Sequence, residues 1–307
     1  MKFLRQKTAQ SITFLVLATG MQLASAQQPL PHTAQQSTAK SDGIPVTRLS
    51  RLRFFSDEDA VNQQSKLQYD SLLKEADQQN ALFPDDHPQV LRLRAIAKRI
   101  IPHVGRWNPE AADWKWEVNL LNSSQVNAFC MPGGRIAFFS GILTKLNMTD
   151  DETAMVMGHE IAHALREHAR KRQGESQVAA IAGKLGGVAA SALFGIDPRL
   201  TDFGGRMAAQ AAVLKFSRGE ETEADLVGID LAARAGFDPR AGIALWQKMG
   251  AVNARAPIEF LSTHPSGDTR ISEMNKSMPL VLPVYARTRG TTVGALPAYR
   301  TTPLPKS

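Results

Sequence analysis

A chain of 307 residues with 43% hydrophobic content and a formal net charge of +7 is long enough for one sizeable core with extra segments at its ends. The basic excess is mild and no Lys/Arg cluster is interleaved with aromatics, which excludes nucleic acid as an expected partner. A single cysteine, Cys130, excludes an intrachain disulfide, so the fold stands on its core and on any metal it holds.

The chain opens with Lys2, Arg5 and Lys7, an apolar run over Ile12 to Ala18, and Ala24-Ser25-Ala26 before Gln27. That order is the pattern of a cleaved secretory signal peptide over residues 1–26. Residues 27–50 are rich in Gln, Ser, Thr and Pro and are expected to form a flexible leader. Ser56 followed by Asp57, Glu58 and Asp59 predicts a helix start, with the helix running to about Asp77. A second helix is predicted after Pro88, carried by Val90, Leu91, Leu93, Ile96, Ala97, Ile100 and Ile101 and ended by Pro102.

Alternation of large apolar and polar residues over Trp114 to Leu120 predicts a half-buried strand. Two further strands, Gln125 to Phe129 and Arg135 to Phe139, flank the turn Met131-Pro132-Gly133-Gly134 and complete a hairpin. Its edge, with Asn127, Ala128, Phe129, Gly133 and Gly134, is either a structural element or a surface on which an extended peptide pairs.

The next segment carries the chemistry. Thr149 and Glu152 form a capping-box pattern, and one helix is expected from Met148 to Arg172, stopped by Gly174. Inside it His159-Glu160-Ile161-Ala162-His163 places two imidazoles four residues apart on one face, where both reach one metal ion. Glu160 stands beside them in the position of the general base of zinc proteases. His168 is expected on the opposite, packing face. Arg166 and Ala169 stand where the longer metzincin motif needs Gly and His, so that pattern is excluded.

Residues 178–196 carry small residues four apart and are followed by a helical pattern after Pro198; the stretch 178–215 reads as a lid or a peripheral membrane contact. Two histidines leave a catalytic zinc site short of a ligand. The stretch Ser217 to Asp225 supplies the candidate: Glu221 as third ligand, with Asp225 one turn on to accept a hydrogen bond from a ligand histidine.

Four blocks in this order, NAFCMPGG (127–134), HEIAH (159–163), SRGEETEAD (217–225) and THPSGDTRI (263–271), make the chain resemble the family-forty-eight zinc metallopeptidases, the group of HtpX, the CAAX prenyl proteases, the Oma-type proteases and BepA. Without the tetratricopeptide array of BepA-like members or the integral spans of HtpX, the resemblance is to compact periplasmic members such as LoiP. It implies one Zn2+ per chain on His159, His163 and Glu221, with Glu160 as base. It adds His264, which in this family approaches the metal and can take the water position, and Arg270 from the same block.

The expectation is an α+β, predominantly helical, gluzincin-type domain over residues 51–278, with a small sheet edge before the active-site helix and a Pro-rich tail over 279–307. The resemblance implies a periplasmic metalloendopeptidase of the bacterial envelope, acting on unfolded or misassembled polypeptides, outer-membrane ones among them, and latched by His264. Two alternatives stay open: a chaperone-like binding protein with a closed zinc site, and a peptidoglycan amide hydrolase.

Overall fold

The structure, a computed structural model, describes residues 42–181, 216–264 and 268–305. Its sheet has the order β1-β3-β2, with β1 (Glu117–Leu121) parallel to β3 (Arg135–Phe139) and β2 (Ala128–Met131) antiparallel to it. The central strand is buried along its whole length, which is why its sequence does not alternate. On one face Leu121, Ala137 and Phe139 pack against Tyr69, Leu72 and Ala76 of α1 (Glu58–Gln78). On the other, Leu120, Ile136 and Phe138 join the main core with α2 (Pro88–Ile100) and α4 (Asp150–Leu165). The Tyr69 hydroxyl donates to the Ile136 carbonyl at 2.6 Å and ties α1 to the sheet.

The hairpin closes through Pro132 and Gly133, with the Gly134 amide donating to the Met131 carbonyl at 3.2 Å. Gly133 has φ +82°, the left-handed value that the third residue of a type II turn requires. A short α3 (Ser140–Lys145) then leads to α4, whose Thr149–Glu152 capping box forms in full. Residues 152–165 of α4 are all buried, so this helix is the axis of the domain. Around it lie α5 (His168–Ile181), α6 (Arg218–Arg234), α7 (Ala241–Asn253), α8 (Glu259–Thr263) and α9 (Asp268–Thr288). Among the described residues no helix is long and apolar enough to cross a membrane.

Three expectations are corrected by these elements. The motif helix stops at Leu165 rather than Arg172, because Glu167 adopts φ 53° and breaks the helical path. A left-handed conformation costs an L-residue about 1–2 kcal/mol. Here the Glu167 carboxylate is held by Arg53 at 2.5 Å and by Arg170 at 2.6 Å. Gly174 does not end a helix but lies inside α5, where its missing side chain leaves room for the Leu52 backbone.

The supposed tail is the second correction. α9 runs through Pro279 and Pro283 to Thr288, since Met274, Met278, Val281 and Val284 form a buried stripe that outweighs the missing proline hydrogen bonds. Beyond it the Tyr299 hydroxyl bonds Thr149, and Thr302 accepts from Lys248 at 3.0 Å, so the segment straps the start of α4. The third concerns the leader. Residues 42–50 are docked, with the buried Ile44 amide donating to Asp230 at 3.0 Å and Thr47 donating to Glu223 at 2.9 Å. The signal-peptide reading (1–26), the rest of the leader (27–41) and the stretch 182–215 of the lid or membrane reading lie outside the described residues; 178–181 end α5.

Candidate metal centre

α4 and α6 cross closely at Gly158 and Gly228, and this crossing sets the site. It brings the histidine face of α4 opposite the acidic first turns of α6, whose N-terminus carries a complete capping box between Ser217 and Glu220. The turn after α8 adds His264, whose ring stacks on Phe260 with centroids 4.4 Å apart.

Four side chains converge. His159 Nε2 lies 3.1 Å from His163 Nε2 and 3.2 Å from His264 Nδ1. Glu221 places one carboxylate oxygen 3.1 Å from His264 Nδ1 and 3.6 Å from His163 Nε2, and the other 3.5 Å from His159 Nε2. All four residues are buried. Donors around a tetrahedral zinc, each at about 2.0–2.1 Å, stand about 3.3 Å from one another. The set of three imidazoles and one carboxylate at these separations fits a divalent metal.

Electrostatics agree. The cluster calls for positive charge: burial lowers the pKa of His159, yet the hydrogen bonds it gives to Asp225 and Glu221 outweigh that and raise the group to about 9. Burial pushes His163 well down and His264 to about 4. A cation among neutral imidazoles satisfies the same carboxylates without those protons. Glu160 stands at the side, its Oε1 3.5 Å from His264 Nε2, and burial followed by the neighbouring Glu221 charge pushes it up to about 8 against the pull of His159.

Behind the donors is a supporting shell. Asp225 accepts from His159 Nδ1 at 3.1 Å, the bond expected of it, and from Arg270 Nε and Nη2 at 2.6 and 2.7 Å. Arg270 also bonds Glu221 at 2.8 Å and lies over the Trp246 ring. It therefore supports two carboxylates from behind.

His168 is the clearest departure. Because the helix breaks at Glu167, His168 starts α5 and turns back, with its Nδ1 2.9 Å from His163 Nδ1 and its Nε2 3.1 Å from Glu223. It is not on a packing face away from the ligands. Sequence reasoning also passed over Glu223 and Phe216, whose ring stacks on His163 with centroids 3.7 Å apart. The spacing of His168, five residues after His163, was the one available signal.

The hairpin edge lies against α4. Ala128 and Phe129 are on β2, one of the two edge strands of the sheet, while Asn127 is buried at its start and its carbonyl accepts from the Phe139 amide at 3.1 Å. Gly133 and Gly134 form the turn, Gly134 packed on Trp116.

Comparison with known families matches peptidase family M48 over residues 88–278. The mitochondrial metalloendopeptidase OMA1 of Saccharomyces cerevisiae is 31% identical over 244 residues, 74% of this chain and 66% of that protein. Its namesake in Schizosaccharomyces pombe is 32% identical over 200 residues, 64% of this chain and 56% of that protein. The beta-barrel assembly-enhancing protease of Yersinia pestis is 33% identical over 159 residues, 50% of this chain and 32% of that protein. The chain thus spans about a third to two thirds of these relatives. The periplasmic placement is corrected here: relatives that align with well over half of the chain, the two OMA1 proteins among them, are named as mitochondrial proteins, and they overturn it.

Proposed function

The chain belongs to peptidase family M48 and carries its metallopeptidase domain, and from that premise we propose that it is a zinc-dependent endopeptidase for misfolded or misassembled polypeptides, held closed at rest by His264. The observation that carries this reading is the convergence of His159, His163, Glu221 and His264 beside a Glu160 whose Oε1 has no hydrogen-bond partner.

His159, His163 and Glu221 would hold the ion. Bound there, zinc supplies Lewis-acid polarisation of a carbonyl oxygen and acidifies water. Glu160 takes the proton of the attacking water and returns it to the leaving amine. Asp225 and Arg270 keep the ligands oriented. An extended substrate pairs along β2, over Ala128 and Phe129, next to α4. His264 would have to swing away from the other three donors for substrate to enter; because it caps α8 with its amide bonded to the Phe260 carbonyl at 2.9 Å, that movement falls to its side chain.

The test is cleavage of an unfolded protein such as casein by the purified chain. Glu160→Gln should reduce the rate by about 10²–10⁴-fold with zinc retained. Cleavage unchanged by that substitution overturns the mechanism. The four-donor closure also favours a second reading, a binding protein that holds unfolded chains with its zinc permanently covered. His264→Ala separates the two: faster cleavage marks a latch, continued silence marks a binder.

A further inference from the structure

We infer that His168 is a positioning residue for the metal site, accepting a hydrogen bond from His163 Nδ1–H and donating one from its own Nε2–H to Glu223. This rests on the metalloenzyme reading of the four converging donors.

The direction of the relay follows from chemistry. If His163 Nε2 gives its lone pair to a metal, its Nδ1 carries the proton and must donate. The atom facing that proton at 2.9 Å is His168 Nδ1, which must accept and therefore carries its own proton on Nε2. That nitrogen lies 3.1 Å from Glu223 Oε2. Donors and acceptors alternate without conflict along His163, His168 and Glu223, and the opposite assignment would set two N–H groups against each other.

The far end of the relay is anchored. Glu223 Oε1 accepts from Arg166 Nε and from Thr47 Oγ1, both at 2.9 Å. Arg166 reaches on to the carbonyls of Thr47 and Arg48 at 3.1 and 3.2 Å. Phe216 covers the face of His163 and Arg172 lies over the Phe216 ring at 4.5 Å, so stacking holds the imidazole plane while His168 sets the tautomer. The two histidine ligands are thus oriented by different routes: His159 directly by a carboxylate, His163 through a second imidazole that ends on the segment before α1. Partners of this kind are worth about 10–100-fold in metal affinity.

The experiment is zinc affinity by competition with a chromophoric chelator, on the full chain, alongside melting of the metal-free protein. His168→Phe should weaken zinc about 10–100-fold. His168→Asn, whose amide oxygen takes the place of Nδ1, should recover most of that loss, a rescue that a purely structural role would not produce. Glu223→Gln, with both rings in place, should weaken zinc several-fold. Wild-type affinity in His168→Phe, or no recovery in His168→Asn, overturns the relay. Should His168→Phe fail to fold, unchanged affinity in Glu223→Gln overturns it instead. A wild-type protein that binds no zinc would sink the metalloenzyme reading itself, which is distinguishable from zinc binding that ignores His168.

Discussion

Gly158 of α4 and Gly228 of α6 touch backbone to backbone. A methyl group on Gly158 would lie 3.0 Å from the Gly228 carbonyl oxygen, and one on Gly228 would lie 3.0 Å from the His159 amide nitrogen. The contact immediately precedes the first histidine of the site and lies about two turns beyond Glu221, so the helix separation it allows decides whether the donors meet. Gly228→Val is expected to push α6 outward, cost about 1–3 kcal/mol in stability and weaken zinc binding. Gly250→Ala, on α7 with open space around it, should leave zinc binding as it is. Melting temperature and metal content of the two variants check this; equal zinc affinity in Gly228→Val counts against the crossing as the determinant.

Arg270 holds two buried carboxylates at 2.6–2.8 Å. Removing one partner of a buried ion pair leaves the other uncompensated, at about 3–5 kcal/mol. Arg270→Met should therefore destabilise the metal-free protein strongly, and added zinc should narrow the gap to wild type by neutralising Glu221. A gap that zinc does not change would show that Arg270 and the metal site are uncoupled.

Chelation should lower the melting temperature, because an ion that binds only the folded state stabilises it by mass action. At a free concentration 100 times its Kd that contribution is about 2.7 kcal/mol. Calorimetry with EDTA and with zinc restored measures it. His264→Ala should retain a smaller zinc-dependent shift, since three donors remain. Identical melting with and without EDTA would contradict metal binding.

Burial, followed by the charges of Asp238 and Asp150, holds the Asp151 carboxyl above its ordinary range, although it accepts a hydrogen bond from the Asp238 amide. A raised acid favours the folded state while protonated, and that contribution is lost as pH rises through the folded pKa. Asp151→Asn keeps the acceptor and cannot ionise. Its melting temperature should match wild type near pH 3 and exceed it increasingly towards pH 7. A difference that stays constant with pH would refute the assignment.

Much of the site was readable because it rests on local geometry. Residues four apart share a helix face whatever surrounds them, so HEIAH and the Glu221–Asp225 pair could be assigned from spacing alone. The Thr149–Glu152 cap is equally local. Gly and Pro were less dependable. Gly174 and Pro279 lie inside helices because tertiary packing outweighs their propensity, and the real break at Glu167 has neither.

By itself, then, the sequence determined the shared face of His159 and His163, the Glu221–Asp225 spacing, the Thr149–Glu152 cap and the hairpin, since each depends on neighbours within a turn or two of chain. Only the tertiary structure decided how His168 and Arg270 are used, where residues 42–50 and the C-terminal segment dock, and that β1 runs parallel to β3. Those outcomes depend on charges and backbone groups distant in the chain: Arg53 on Glu167, Asp230 on Ile44, Asp225 on Arg270. Such pairings leave no periodic trace, because the energy that selects them exists only once the chain has folded.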